Sequence, residues 1–508
     1  MMRLISILLL AVSFGNAAAP VRKPKLVLAI TVDQFRYDYL TRYRSDYKGG
    51  LNRLLTQGAV YTDAHFQHFP TVTAVGHSVI LSGAMPSVSG IVGNDWYDRA
   101  AGKHVTSVSD DAFKVLGGTG AGGASPNRLL VTTVGDELKT ATGGKSRVFA
   151  ISLKDRGAIL PGGHAADAAY WYDSRSGNFV SSAFYFPDLP AWVKEFNSKA
   201  IEKYKGARWE GGTLPMDAKV TSALLATPFG NELLEAFAER LIETEKLGRN
   251  TVPDLLSVSF SSNDYVGHSF GPDSAQVKAV CLETDQALEK LFRFLDASIG
   301  MSNVLAVMLA DHGVATMPEV NAARRIPGGR IPARVIQNTV QAELVKKYGD
   351  GRWILSSSEH SLYLNQDLAR EKKIERAALE ETVRETVLGI PHVWRAYTRG
   401  QLLGGNIGPD SVSISVFNGF HAGRGADVYI LLEPSWMFGS GDTTHGTAFN
   451  YDNHVPVIFM GPRVRPGIYD DRILVNDVAP TLANLLDIEM PSGSSGRVLK
   501  EIILRDTK

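Results

Sequence analysis

Only one cysteine, Cys281, occurs in the 508 residues. An intramolecular disulfide and a cysteine-based metal cluster are therefore both excluded. Neither sign of charge is in excess, because Lys plus Arg and Asp plus Glu number 53 each. No global basic field gathers nucleic acid, and no acidic surplus marks a solvating tail. Internal repeats and long low-complexity stretches are missing as well. The apolar run Leu4 to Phe14 is too short to span a bilayer comfortably. It follows Met1-Met2-Arg3 and leads into Asn16-Ala17-Ala18-Ala19, the order of a secretory signal. We expect cleavage near Ala19, export to the periplasm or beyond, and a product of residues 20–508 that has no membrane attachment. With no cross-links available, its stability must come from its core and bound ions.

What is present is the material of a large globular α/β protein: 44% hydrophobic and 21% charged residues. Short apolar runs end abruptly in polar residues. Leu26 to Ile30 stops at Asp33; Val148 to Ile151 leads to Lys154 and Arg156; Leu255 to Phe260 stops at Asp264. Val304 to Leu309 ends at Asp311-His312, and Val455 to Phe459 follows His445. Runs of this length, rich in β-branched residues and apolar on both faces, predict buried parallel strands. Helical spacing over Ala275 to Leu295 and Glu232 to Leu241 alternates with them. The expected fold is a doubly wound, mostly parallel central sheet, with cap insertions at about 157–250 and 313–440. Cys281 sits on the first of these helices and reads as core.

Doubly wound sheets place their chemistry beyond the carboxyl ends of their strands. Asp33, Asp264, His268, Asp311, His312 and His445 all border the five runs, so we expect them to converge on one sheet edge. Three carboxylates brought together need cations. A sulfur-free set of three Asp and three His suits zinc or another borderline divalent ion. The spacing Asp264-x-x-x-His268 puts both groups on one face if the segment is helical.

The loop Phe69-Pro70-Thr71-Val72-Thr73-Ala74-Val75-Gly76-His77-Ser78 offers hydroxyls at 71, 73 and 78. No Gly-x-Ser-x-Gly elbow is present, which disfavours a serine hydrolase, and no Cys-x-Pro-x-Arg signature occurs. A threonine hydroxyl becomes nucleophilic when a metal lowers its pKa, so this loop and the ligand set support each other. Lys154-x-Arg156 is expected to aim two cations to one side of an extended segment.

These blocks resemble the alkaline phosphatase superfamily, specifically the phosphate-irrepressible bacterial type with a threonine nucleophile. The resemblance rests on Phe69 to Asp98, including Gly90-Ile91-Val92-Gly93-Asn94-Asp95-Trp96-Tyr97-Asp98. It rests also on Ile151 to Arg156, Ala310 to Gly313, His445-Gly446-Thr447 and Asn476 to Leu482. It implies a phosphomonoesterase that works through a phosphothreonine at Thr73, with two Zn2+ per chain. Asp33, Asp311 and His312 would hold the zinc that also binds Thr73. Asp264, His268 and His445 would hold the second. Asn94, Lys154 and Arg156 would bind the phosphoryl oxygens. The implied substrates are small phosphate monoesters, with no nucleic-acid partner, and the expected state is a monomer or weak oligomer. The alternative on the same scaffold is a phosphodiesterase or nucleotide pyrophosphatase. Those relatives resemble the chain around Thr73 and Asn94 but are not expected to keep the Lys-x-Arg pair, because a diester lacks the extra charged oxygen that the pair would bind.

Overall fold

The β-branched, wholly apolar runs cannot face water on either side, so they pair with one another at the centre of the molecule. In the computed structural model, which describes residues 23–504 except 121, 333 and 359, they form an eleven-stranded sheet. Four of the five expected strands lie side by side and parallel: Val304–Leu309, Leu26–Val32, Asp254–Phe260 and Val148–Ser152. Every residue of these four strands is buried. The fifth, Val457–Met460, runs antiparallel beside Val304–Leu309. Its amino end therefore lies at the edge where the other four have their carboxyl ends. His445, which precedes this strand, reaches the same edge as residues that follow theirs. The secretory signal expected over residues 1–19 lies outside the described residues.

Side chains alternate between two cores. In Ala168–Asp173, residues Ala168, Tyr170 and Tyr172 join the larger core, while Ala169 and Trp171 join a second one on the opposite face. Helix Ala275–Ser298, which covers the larger core, packs against Pro228–Glu245. Cys281 on it is fully buried, and burial drives its thiol well above the ordinary range, as suits a core residue. Helix Thr73–Ser82 is buried along all ten residues and packs against Asp155–Gly162. It has no polar face because it has no solvent side.

The two stretches set apart by composition take different places. Residues 157–250 contribute Ala168–Asp173 and Asn178–Ser182 to the central sheet itself. Within 313–440, Ile354–Ser357, Ser361–Leu364, Val393–Thr398 and Val428–Leu432 form a separate four-stranded sheet. A core of its own, centred on Trp353, Leu379 and Val383, supports that sheet.

Candidate functional site

Each strand end delivers its polar residue to the same place. Asp33, Asp311 and His312 are fully buried, and their ligand-capable atoms lie within 4.8 Å of one another; Asp264, His268 and His445 form a second group within the same limit. The segment of Asp264 and His268 is helical over Ser262–Phe270, which sets the two groups 3.2 Å apart. All six residues expected to converge do so.

The three imidazoles are presented alike. Nδ1 of His268 donates to the Thr443 carbonyl at 2.7 Å, that of His312 to Gly313 at 2.9 Å and that of His445 to Thr71 at 2.8 Å. A carbonyl can only accept, so Nδ1 carries a proton and Nε2 is the ring nitrogen left to face the cluster. The His312 and His445 rings stack at 3.5 Å and 15°. Parallel rings cannot both point a lone pair at one ion, which agrees with their falling into different groups. Burial, followed by repulsion from His312 and His268, holds His445 well below the ordinary imidazole range, so it is neutral at neutral pH.

The carboxylates are under-compensated. Burial and then repulsion from Asp311 push Asp33 well above the usual carboxylate range. Burial also opposes the charge on Asp264, but Lys154 and His268 outweigh it and hold this carboxyl well below its ordinary value. The Lys154 ammonium lies 2.7 Å from Asp33 and 2.6 Å from Asp264. Neither Asp33 oxygen nor Oδ2 of Asp311 receives a well-directed hydrogen bond. Three buried carboxylates that share one ammonium and face the Nε2 atoms of three imidazoles fit divalent cations, and the oxygen-and-nitrogen donor set fits zinc.

Of the three candidate hydroxyls, only Thr73 faces this cluster. Thr71 donates to the Thr447 carbonyl at 2.7 Å and Ser78 to the Val75 carbonyl at 2.7 Å. Oγ1 of Thr73 lies 3.4 Å from Nε2 of His312 and 3.4 Å from the Lys154 ammonium, at the first residue of its helix. The side-chain oxygen of Asn94 accepts from the Ala74 N–H at 2.8 Å, which leaves its NH2 free to donate. Lys154 is extended, as expected (φ −116°, ψ 139°), but Arg156 is not. Helix Asp155–Gly162 begins between them, and Asp155 accepts from the Arg156 N–H at 2.7 Å. The pair therefore acts from a strand end and a first helical turn. Burial opposes the charge on the Arg156 guanidinium, but Asp155 first, then Tyr265, Asp33 and Asp264 outweigh it, and its Nε is buried without a hydrogen-bond partner.

Sequence reading missed the braces. Gln34 donates its N–H to Asp311 at 3.1 Å and its side-chain NH2 to Asp264 at 2.8 Å, from a left-handed conformation (φ 62°). His77 donates from Nδ1 to the Thr73 carbonyl at 2.9 Å, and the same nitrogen lies 3.1 Å from Asp311. Only their closeness in sequence to Asp33 and Thr73 hinted at either. Gly76 was not singled out either. A Cβ on it would lie 2.1 Å from the Asp311 carbonyl oxygen. Gly76→Ala is expected to cost about 1–3 kcal/mol in urea unfolding, the usual price of overpacking, and to weaken metal uptake in a titration. Unchanged values for both would show that the helix and the Asp311 turn are not in forced contact.

A third group, Asp63, His65 and His454, also brings its ligand-capable atoms together. Its two rings stack at 4.5 Å and 13°, His65 is bonded to Asp63 at 2.6 Å and Asn453 at 2.9 Å, and Arg472 lies 3.5 Å from Asp63. Parallel rings and a resident guanidinium make this a structural knot. His454, unassigned from the sequence, belongs to it.

Comparison with known proteins gives the family. A family model described as type I phosphodiesterase / nucleotide pyrophosphatase matches residues 27–455. Alkaline phosphatase PhoV of Synechococcus elongatus is 36% identical over 520 residues, covering 95% of this chain and 94% of its own. A Myroides odoratus protein described as a calcium-transporting ATPase is 34% identical over 529 residues, covering 96% of each. The crystal structure of alkaline phosphatase PafA, a protein of Elizabethkingia meningoseptica, matches with a TM-score of 0.89 at 33% identity, covering 96% of this chain and all of that one. The chain belongs to the type I phosphodiesterase / nucleotide pyrophosphatase family, within the alkaline phosphatase superfamily.

Proposed function

We propose that this chain is an exported alkaline phosphatase that hydrolyses phosphate monoesters through a phosphothreonine at Thr73. One observation carries the reading: the Thr73 hydroxyl stands 3.4 Å from His312 of the first Asp/His group and 3.4 Å from Lys154, whose ammonium touches Asp33 of the first group and Asp264 of the second. Asp33, Asp311 and His312 would hold one divalent cation, with Thr73 as a further ligand, and Asp264, His268 and His445 the other. Zinc bound at both would supply the Lewis acidity that ionises the Thr73 hydroxyl and stabilises charge on the departing oxygen.

The chain's own groups do the rest. The Thr73 oxygen forms its bond to phosphorus as the ester P–O bond breaks, and the alcohol departs. Water then attacks the same phosphorus, inorganic phosphate leaves and the hydroxyl is restored. Asn94, Lys154 and Arg156 give three donors to the three non-bridging oxygens, whose charge must be matched in the transition state. The Lys154 ammonium is within reach of any phosphoryl group carried on Thr73. Asp264 and Asp33 keep it protonated against the burial that opposes its charge. A diester replaces one of the charged oxygens with a substituent, so three donors with two cations favour the monoester.

The test joins metal analysis to a substrate pair. Two equivalents of zinc are expected, and turnover of aryl phosphate should exceed that of the matched methyl aryl diester by orders of magnitude. A chelator should abolish turnover, and zinc should restore it. A preference for the diester would instead support the phosphodiesterase reading, which the family description keeps as the second one. No helix among the described residues is long and apolar enough to cross a membrane. Export is tested by fractionating cells for the activity and by sequencing the amino terminus of the product.

A further inference from the structure

A cleft of about 340 Å³ opens from the site, lined by His268 and His445 of the second group and by none of Asp33, Asp311 and His312. On the reading above, the leaving oxygen departs on that side, so the cleft is where the alcohol part of the ester lies. One wall is the hairpin of Asp95–Asp98 and Lys103–Thr106; the other comes from the separate four-stranded sheet. His104 bonds Ser356 across them at 2.7 Å and fixes their spacing.

Apart from its four histidines, the lining carries charge of one sign. Asp95 is its only carboxylate, and no lysine or arginine lines it among the described residues. The Asp95 side chain is 59% exposed, and the His104 ring lies 3.8 Å from it. Tyr363 and Tyr429 add aromatic wall; the Tyr363 hydroxyl donates to the Arg424 carbonyl, and that of Tyr429 accepts from the Ala426 N–H. Three arginines outside the lining are engaged elsewhere. Arg99 pairs with Asp427 at 2.8 Å, Arg128 with Asp98 at 3.7 Å, and Arg424 donates to the carbonyls of Gly90 and Arg128.

We infer that Asp95 is a specificity residue that selects monoesters by the charge of their alcohol, favouring an ammonium-bearing alcohol and rejecting one that carries a carboxylate or a second phosphate. A carboxylate over an aromatic-lined cleft attracts a cation and repels an anion. Because Asp95 is exposed, the effect is moderate and screened by salt.

The experiment measures kcat/KM for three esters of similar size: 2-aminoethyl phosphate, n-propyl phosphate and carboxymethyl phosphate. Comparing the aminoethyl-to-carboxymethyl ratio between enzymes cancels intrinsic leaving-group reactivity. Asp95→Asn should lower that ratio about tenfold at low ionic strength, mainly through KM, and Asp95→Glu should hold it within about threefold. Salt at about 0.5 M should shrink the wild-type ratio and leave that of Asp95→Asn nearly fixed. A ratio unchanged by Asp95→Asn, or equally salt-sensitive in both enzymes, overturns the inference. If the wild type splits none of the three esters, nor aryl phosphate, the phosphomonoesterase reading itself falls and this one with it.

Discussion

Thr73→Ala is expected to abolish phosphoenzyme formation and to lower kcat for aryl phosphate by about 10⁴-fold or more, while metal content is kept. Neither of the other two candidate hydroxyls is placed to substitute, because Thr71 and Ser78 are turned to backbone carbonyls. The loss of an entire covalent route is of the size found when a nucleophile is deleted elsewhere. The fold should survive. Oγ1 makes only two long contacts, each of 3.4 Å, so the unfolding midpoint should move by no more than a few degrees. Thr73→Ser keeps the hydroxyl at the start of the same buried helix and should hold activity within about tenfold to a hundredfold. The check is acid quenching with a labelled monoester, followed by counting phosphate on protein, with zinc analysis alongside. Full activity in Thr73→Ala would remove Thr73 from the mechanism. Loss of activity together with loss of zinc would make it a ligand only.

Replacing both Lys154 and Arg156 with alanine should separate the two substrate classes. Each cation makes charge-assisted contacts worth roughly 2–3 kcal/mol when charge gathers on the phosphoryl oxygens. The double variant should therefore lose about 10³-fold to 10⁴-fold in kcat/KM for a monoester and less than about tenfold for a diester. Lys154 has a second duty, which the measurement must account for. Its ammonium lies between Asp33 and Asp264 at 2.7 and 2.6 Å, so its removal leaves two buried carboxylates without their nearest cation. Bound metal can take over that neutralisation, so the assay is run with zinc in excess and its content verified. Arg156→Ala alone, which leaves those carboxylates paired, should show the same selectivity in smaller measure. Equal losses on both esters would mean that the pair supports the site in general and does not recognise the monoester.

Much of the site was legible because burial leaves its mark on composition. A strand apolar on both faces must end in something polar at the sheet edge, so Asp33, Asp264 and Asp311 announced themselves by where the hydrophobic runs stopped. His268 followed from helical spacing. His445 was located in chain order but could not be oriented, because nothing local tells a parallel strand from an antiparallel one. The partners that brace the site left no such mark. Gln34 and His77 are ordinary polar residues until the fold sets them 2.8 Å from Asp264 and 3.1 Å from Asp311. Arg156 was expected on an extended segment, because the sequence offered no strong signal that a helix starts at Asp155. The stretch 157–250 looked like an appendage by composition, yet strands in it extend the central sheet.

By itself, then, the sequence determined the buried strands, the convergence of three aspartates and three histidines on one edge, and the absence of any sulfur chemistry. All of these follow from which side chains can leave water and which cannot. The resemblance implied Thr73 and the division of the six residues into two groups, but only the tertiary structure set that hydroxyl beside His312, brought each group of three together and turned Nε2 of each imidazole toward it. Those are matters of direction, and direction is set by the contacts of distant segments: Thr71 against Thr447, His445 against Thr71, and Gly76 against Asp311.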